Sequence, residues 1–412
     1  MTRPDEAHST SYRDLLRIPD LPVLLTGVTL LRLGESMLFL TLVLYTLARF
    51  SSSELAGWVG FAAVVPGLVL SPLAGAILDR VGSGMAVTID MAVSAALLFC
   101  LIAADQLGQV GPAVLLILVS LLSLTSPLSA AGVRVLLPRL VTPSAYDRVN
   151  ALDTAVFAIV GVAGPAIAGL LVGLAGANFA LGAIAVVFIG AAVCIGRMRR
   201  LPSLSTARRS LAHEMLNGMA MVARQPTLRG LAVSYSLYQV TWGILFIVVP
   251  VFATQHFAQA FGTSVTGFIW GAMGLAGGVG ALAAGRLRTA GRERRVMAIG
   301  MIVTALAAWP IAAELGLGGL IAGLMLAGLV SGPIDVGLLT LRQRRTDPAQ
   351  LGKVLSVSIA LNMAGFPLGS ALAGMLIGHS LALTFVLAAL SSLLAAMATA
   401  IIPKDAALGE PA

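Results

Sequence analysis

Charged residues are scarce in this chain of 412 residues: only 11% are Asp, Glu, Lys or Arg, whereas 58% are hydrophobic. Because about a quarter of the residues in a soluble globular protein are charged, a water-soluble enzyme is excluded. The apolar composition also excludes disorder, and the 45 glycines follow no G-X-Y period, which excludes a collagen-like fibre. The mean hydropathy of +0.96 indicates a membrane protein.

Groups that bind metals or cofactors are also few. The two cysteines, Cys100 and Cys194, lie singly in apolar runs and form no CxxC pattern. The four histidines are scattered in tails and loops, and neither a phosphate-binding loop nor a paired nucleophile and base appears. The sequence therefore predicts no cofactor, no metal site and no catalytic residue.

Long apolar runs are what the sequence does contain. A membrane helix needs about 20 mainly apolar residues, and two groups of six such segments are separated by a basic linker. The predicted fold is an all-α integral membrane protein with twelve transmembrane helices in two six-helix bundles. The predicted spans one to twelve are 22–49, 55–78, 85–104, 112–137, 150–174, 178–196, 230–254, 262–284, 296–313, 317–340, 354–378 and 381–402.

This pattern divides the chain into five predicted segments. The first apolar run is too long for a secretory signal and has no small-residue cleavage site, so it is interpreted as an uncleaved membrane helix. The segments are an N-terminal tail (1–20), a first bundle (21–196), a linker (197–229), a second bundle (230–402) and a C-terminal tail (403–412).

The basic residues predict the orientation of these spans. Cytoplasmic loops carry an excess of Lys and Arg, and all but two of the 26 basic residues fall on one side if the chain crosses twelve times from the inside. The exceptions are Arg49, at the outer edge of span one, and Arg32, within it. Both termini are therefore predicted to be cytoplasmic. The net charge of +8 then reflects insertion topology and does not indicate a nucleic-acid partner.

The two groups of spans also resemble each other in sequence. A shift of 205 residues aligns Arg139 with Arg344 and Gly164 with Gly369, and the register continues without a gap over some fifty residues. Such a repeat predicts duplicated halves related about an axis along the membrane normal.

The loop after span two carries the most specific family marker. Gly75, Asp79, Arg80 and Gly82 fit the pattern G-x-x-x-D-R-x-G, and the chain resembles the major facilitator superfamily over essentially its whole length. The resemblance implies two bundles around a central substrate site, with this cluster acting as a cytoplasmic gate that latches the outward-open state. The second-half copy keeps glycine and arginines but lacks the aspartate, so a one-sided latch is expected.

Span five carries a second marker, formed by Gly161, Gly164, Pro165 and Gly169. It resembles the Gly-Pro motif of drug antiporters in this superfamily, which implies export; close helix packing is an equally simple interpretation. The arginine that many of these antiporters carry in span four is missing. The stretch Thr340–Gln343 resembles bacterial exporters of macrolides, siderophores and lysolipids, which implies a bacterial inner-membrane location.

Ionisable side chains inside the spans are the candidates for coupling, because such groups are costly in a bilayer. Arg32 and Glu35 are three residues apart and share a helix face, so they either neutralise each other or Glu35 exchanges protons as Arg32 approaches and departs. Asp335, after a Gly-Pro break, is a candidate second coupling or substrate-cation site. Asp90 and Asp153 lie near the cytoplasmic surface and are predicted gate partners of Arg80, Arg134 or Arg148.

Span seven supplies the predicted substrate wall. Its aromatic residues recur at helical spacing beside Gln239, a face that suits flat or amphipathic molecules, although core packing gives the same pattern. Asn362, in the middle of span eleven, is a weaker cavity candidate. The aromatic residues of this stripe are Tyr235, Tyr238, Trp242 and Phe246.

Together these features favour a secondary transporter that works by alternating access, with proton-coupled efflux of amphipathic or aromatic small molecules as the first hypothesis. A lysophospholipid flippase or a small-metabolite importer of the same fold is the alternative, and a non-transporting membrane receptor or enzyme is the alternative of another class. The expected partners are a small-molecule substrate, protons and the lipid bilayer, and the chain is expected to be a monomer.

Overall fold

The computed structural model describes residues 17–141, 146–198, 219–257, 259–286, 291–308, 315–346, 357–358 and 360–403. Within these residues the secondary structure consists of helices and turns, without a strand. The all-α prediction is confirmed for this part of the chain. Helices of ten residues or more are α1 Leu21–Phe50, α2 Ser53–Ala62, α3 Val65–Val81, α4 Ser83–Gln106, α5 Pro112–Arg139, α6 Tyr146–Ala175, α7 Ala177–Gly196, α8 Pro226–His256, α9 Gln259–Arg286, α10 Glu293–Ala308, α11 Gly316–Arg344, α12 Gly365–Ile377 and α13 Leu381–Ala398.

Eleven helical segments in the described residues are long and apolar enough to cross a membrane. Span nine of the prediction corresponds to α10, whose 16 residues end at Ala308, where the described range ends. The count of twelve spans therefore stays a prediction. Span two is formed by two helices, α2 and α3. The helix breaks before Pro66, because proline lacks the N–H for a helical hydrogen bond and its ring clashes with the preceding turn.

The helices pack as two groups, which we call the first half (α1–α7) and the second half (α8–α13). In the first half, α1 packs against α6 and α7, and α4 packs against α5 and α7. In the second half, α8 packs against α12 and α13, while α10 and α11 pack against each other. The two halves meet mainly where α6 crosses α9 and where α2 crosses α12.

Glycines at both crossings let the backbones of the two halves touch. A Cβ atom on Gly169 of α6 would lie only 2.6 Å from the Cα of Gly267 in α9, and one on Gly57 of α2 would lie 2.6 Å from the Cα of Gly374 in α12. We call the end of the bundle where α1 begins and α13 ends the inner end, and the opposite one the outer end. Because these glycines lie toward the outer ends of their helices, the halves meet at the outer end.

The outer end of the first half also explains one exception in the charge pattern. The carboxylate of Asp105, in the last turn of α4, accepts hydrogen bonds from Arg49 Nε at 2.9 Å, from the Tyr45 hydroxyl at 2.9 Å and from Asn178 Nδ2 at 2.7 Å. Arg49 is thus held by an acid that ties α1, α4 and α7 together. The predicted topology places Arg49 against the charge rule, and this local partner compensates for that position.

Candidate functional site

One face of α1 lines the space between the halves. Arg32, Glu35, Ser36 and Phe39 follow the spacing of a single helix face. The Ser36 hydroxyl donates to the Val160 carbonyl of α6 at 3.2 Å, so this end of the face packs within the first half. Phe39 reaches across to the second half, and Glu35 lies between these two contacts.

The carboxylate of Glu35 is exposed although the residue lies in the middle of its span. In the described part of the chain it makes no hydrogen bond and no ion pair, and it interacts electrostatically with Asp90 and Arg32. An exposed acid at this depth is expected only where the helix borders a cavity. The predicted Arg32–Glu35 pair is not formed.

Arg32 instead contacts Asp153 of α6. Its Nη1 lies 2.8 Å from Asp153 Oδ1, its Nη2 donates to Oδ2 at 2.9 Å, and Nη1 also donates to the Asp153 carbonyl at 2.7 Å. The guanidinium lies 5.4 Å from the centre of the Phe157 ring, one turn along α6. Asp153 thus pairs with Arg32 and not, as the sequence predicted, with an arginine of the cytoplasmic gate, because α1 and α6 place these two side chains opposite each other.

Asp90 also differs from its prediction. It is only 1% exposed, between α4 and α5. Its carboxylate accepts hydrogen bonds from the hydroxyls of Ser129 and of Ser94, the latter at 3.4 Å, and no arginine of the described residues contacts it. Ser94 of α4 and Ser129 of α5 replace the predicted arginine partners, because the side chain points into the first half and away from the inner surface.

The predicted gate motif is described only in part. The side chains of Gly75 and Asp79 lie outside the described residues, as do Leu351 and the start of span eleven. Arg80 is exposed in the last turn of α3 and makes no ion pair within the described part of the chain. Gly82 ends α3 with φ of +88°, a conformation that favours glycine and explains its place in the motif. The gate role of these residues stays a prediction.

The glycines of the span-five motif have different surroundings. Gly164 of α6 faces Ser36 of α1, and Gly169 faces Gly267 of the second half, next to the carbonyl of Pro165. Gly161 has no atom within 4 Å of the position that a Cβ would occupy. Two of the glycines therefore serve close packing, one within the first half and one between the halves.

In the second half, two predicted residues meet. The Tyr235 hydroxyl of α8 donates to Asp335 Oδ1 of α11 at 2.6 Å. The Asp335 side chain is exposed, like Glu35, although it lies well inside its span. Asp335 is therefore hydrogen-bonded to an uncharged side chain and is still exposed.

Only the ends of the predicted aromatic stripe are partly open. Tyr238 is 1% exposed and its hydroxyl lies 3.3 Å from that of Thr304 in α10. Trp242 is 7% exposed and packs between Tyr238 and Trp270. These two rings belong to the core of the second half, in contrast to the predicted substrate wall. Tyr235 and Phe246 remain partly exposed.

The two polar candidates beside the stripe are also buried. Gln239 donates to the sulfur of Met363 at 3.3 Å. Asn362 is 3% exposed; with its amide oriented so that both atoms have partners, its oxygen accepts from Arg342 Nη2 at 2.7 Å and its nitrogen donates to the Ser358 carbonyl at 3.1 Å. Asn362 thus holds Arg342 and does not line a cavity as predicted, because it faces α11.

An aromatic cluster that the sequence did not single out joins the halves. Phe39 of α1 meets Phe246 of α8 and Phe366 of α12 edge-on, with ring centres 5.5 and 5.2 Å apart, and Phe246 stacks on Trp270 at 3.9 Å. We call these four residues the aromatic cluster. Its signals in the sequence were Phe246, in the predicted stripe of span seven, and Phe39, one turn after Glu35 on the same face.

A cavity of about 270 Å³ lies on the outer side of the aromatic cluster, between α1, α2, α8 and α9. Its lining includes Leu44, Ser51, Val251, Thr254 and Gln255. Glu35 and the Tyr235–Asp335 pair lie on the inner side. The cluster therefore separates a small outer cavity from the two accessible acids.

The sequence and the fold both match known transporters. The family description Major Facilitator Superfamily matches residues 24–290 and 231–411. An uncharacterized MFS-type transporter, y4rN, of Sinorhizobium fredii (strain NBRC 101917 / NGR234) is 57% identical over 396 residues, which are 96% of this chain and 98% of that protein.

Among solved structures, the nucleoside transporter NupG superposes with a TM-score of 0.74 at 16% identity, covering 92% of this chain and 98% of that one. A POT family transporter in complex with 5-aminolevulinic acid superposes with a TM-score of 0.72 at 11% identity, covering 94% of this chain and 96% of that one. At these identities the likeness extends to the fold alone.

Proposed function

The chain belongs to the major facilitator superfamily and is a secondary transporter rather than an enzyme, and from that premise we propose that it exports amphipathic or aromatic small molecules in exchange for protons. It does so in a bacterial inner membrane with both termini cytoplasmic, by alternating access of a site between its two halves. The inner end of the bundle is the cytoplasmic one.

The exposed and unpaired carboxylate of Glu35 carries the proposal. A carboxylate that exchanges protons needs access to water and freedom from a permanent counter-ion. Glu35 has both, because Arg32, the base one turn away, is held by Asp153. Asp90 adds a second carboxylate within electrostatic range of Glu35.

The substrate class follows from the surroundings of Glu35. The aromatic cluster offers ring faces and edges directly outside the acid, which suits a flat or amphipathic molecule. Asp335 with Tyr235 offers an acid for a cationic group on the second half. A substrate between the halves thus meets an aromatic wall and an acid on either side.

The contacts between the halves support alternating access. The glycine crossings at the outer end hold the halves together there, while both acids are accessible on the inner side of the aromatic cluster. In the proposed orientation this is the state open to the cytoplasm. Separation at α6–α9 and α2–α12 opens the outer end and releases the substrate outside.

Reconstitution into proteoliposomes with an imposed pH gradient tests this function. We expect efflux of cationic or aromatic dyes from the inner-end side to follow the gradient, and Glu35→Gln to abolish this dependence while substrate counterflow continues. Glu54→Gln is the matched control, because Glu54 is an exposed acid at the outer start of α2. The same assay is run with macrolides, siderophores and lysolipids.

Three results would contradict the proposal of proton-coupled export. Efflux that ignores the gradient removes proton exchange, and uptake along the gradient makes the chain an importer. Transport of lysolipids alone, with no transport of any dye or drug, makes it a flippase. Loss of transport in Glu54→Gln to the same degree as in Glu35→Gln would show that the assay reports general damage.

A further inference from the structure

Arg342, in the last turn of α11, is a buried charge that contacts no acid in the part of the chain that the structure describes. It is 3% exposed, and its only side-chain partner among the described residues is the neutral amide of Asn362, which accepts from Nη2. The described acids of the second half are engaged elsewhere: Glu293 contacts Arg344 at 2.9 Å, and Asp335 accepts from Tyr235. A guanidinium cannot lose its proton in a protein, so this charge has to be compensated from another source.

The hydrogen-bond donors around Arg342 are equally unsatisfied. Arg342 Nε and the hydroxyls of Thr346 and Ser358 are buried and have no hydrogen-bond partner in the described part of the chain. Ser358 is joined to Arg342 through Asn362, and Thr346 follows Arg342 by about one helical turn. Thr346 is 7% exposed and Ser358 is fully buried. Unsatisfied buried groups are rare in native proteins, and one on a buried cation together with two on Thr346 and Ser358 call for a common explanation.

The end of α11 offers only part of that explanation. The C-terminal end of a helix carries a partial negative charge that favours an arginine. That field is shared by Arg344 and Arg345, which have their own partners, Glu293 and Thr227. It also supplies no acceptor for Nε or for the two hydroxyls. A separate acceptor with a negative charge satisfies all three.

We propose that Arg342, Asn362, Ser358 and Thr346 form a binding site for a small inorganic anion of the size of chloride. The anion accepts from Nε and the two hydroxyls, while Asn362 orients the guanidinium. The near-complete burial of the site excludes a large organic anion. The site lies at the inner end of the second half and links α11 to Ser358 and Asn362 of span eleven, so the bound anion stabilises this contact. It is independent of the proposed export function.

The thermal stability of the purified protein in detergent tests this site. We expect the midpoint of unfolding to be about 3 °C higher in chloride than in gluconate at equal ionic strength, because only an anion that binds the folded state raises it. Arg342→Gln should remove this difference. Arg292→Gln is the matched control, because it removes the same charge from an exposed position at the inner end of the same half and should keep the difference.

A second variant guards against a failure of Arg342→Gln to fold. Asn362→Asp places a carboxylate next to Arg342, so the protein should be equally stable in chloride and gluconate. Bromide in place of chloride should further give an anomalous diffraction peak beside Arg342 in a crystal.

The proposal is overturned if the wild type is indifferent to the anion, or if Arg342→Gln keeps the chloride effect. Stabilisation by phosphatidylglycerol but not by chloride would contradict an inorganic anion.

Discussion

Arg32 in the first half and Arg342 in the second half both lie within membrane-spanning helices, but their partners differ. Arg32 contacts a carboxylate through both terminal nitrogens, whereas the more deeply buried Arg342 contacts only an amide. The accessible acids differ in the same sense, because Glu35 has no hydrogen bond in the described residues and Asp335 has a tyrosine hydroxyl. In the first half, Asp153 thus neutralises Arg32, and Glu35 stays unpaired within the described residues. In the second half, the proposed bound anion neutralises Arg342.

We expect the largest effect from breaking the Arg32–Asp153 ion pair of the first half. Asp153→Asn removes the acid that holds Arg32 and leaves a guanidinium that cannot lose its proton, and we expect a loss of about 3 kcal/mol in the free energy of unfolding. Arg32→Gln should cost clearly less, because the remaining carboxylate can take up a proton. Denaturant unfolding of the purified variants in detergent measures both losses.

Arg49→Gln is the control for this comparison. It breaks an ion pair whose arginine side chain is 44% exposed, and exposed pairs contribute only about 0–1 kcal/mol. Equal losses for Asp153→Asn and Arg32→Gln would contradict the argument from protonation.

The next effect concerns the contact between the halves. Gly169→Leu places a side chain against Gly267, where a Cβ alone would already lie 2.6 Å from its Cα. The overpacked side chain destabilises only the state in which the outer ends touch, by about 2 kcal/mol. The equilibrium between this state and the one with separated outer ends therefore shifts roughly 30-fold toward the open one. Distances between spin labels at Gln109 and Leu315, at the outer ends of the two halves, should lengthen.

Gly161→Leu is the matched change on the same helix, because open space surrounds a Cβ at this position. It should leave the distance distribution unchanged. An outward shift in Gly161→Leu but not in Gly169→Leu would refute the assignment of the outer contact.

We expect the smallest effect from a substitution of Tyr235, the residue that is hydrogen-bonded to Asp335. Tyr235→Phe removes one hydrogen bond to a carboxylate, worth about 1.5 kcal/mol, and should weaken the apparent affinity for a cationic substrate about tenfold. The affinity for a neutral substrate should not change, since only a cation binds Asp335. Concentration-dependent transport in proteoliposomes measures both affinities.

Tyr238→Phe is the corresponding control on the buried part of the stripe. Its hydroxyl faces Thr304 and not an acid, so neither affinity should change. A loss of affinity for neutral substrates in Tyr235→Phe would assign this residue to the wall of the site and not to Asp335.

The spans were predictable from the sequence because a bilayer imposes one simple demand on every helix that crosses it. Apolar length alone found eleven helices that the structure contains, and Asp335 was found because an acid is out of place in such a run. The break between α2 and α3 was missed, since the apolar run continues through it. Pro66 was its only signal.

The partners of the polar side chains were not predictable in the same way. Arg32 and Glu35 share a face, which favoured a local pair, yet the partner of Arg32 lies 121 residues away. Tyr235 and Tyr238 belong to the same stripe, but they are three residues apart and point in different directions. The Tyr235 hydroxyl contacts Asp335, and the Tyr238 hydroxyl contacts Thr304 of α10. Helical spacing places side chains on a face and does not say which neighbour that face meets.

By itself, the sequence determined a chain of membrane helices and the few ionisable groups inside the spans, because both depend on the transfer of single residues from water to lipid. The orientation that the arginines predict stays a prediction. Only the tertiary structure decided which of those groups are paired. Asp153 forms the ion pair with Arg32, so Glu35 is not paired with this arginine. Arg342 contacts the amide of Asn362 and not an acid among the described residues. The reason is that neutralising a charge in a membrane requires a partner within about 3 Å, and helix packing sets that distance.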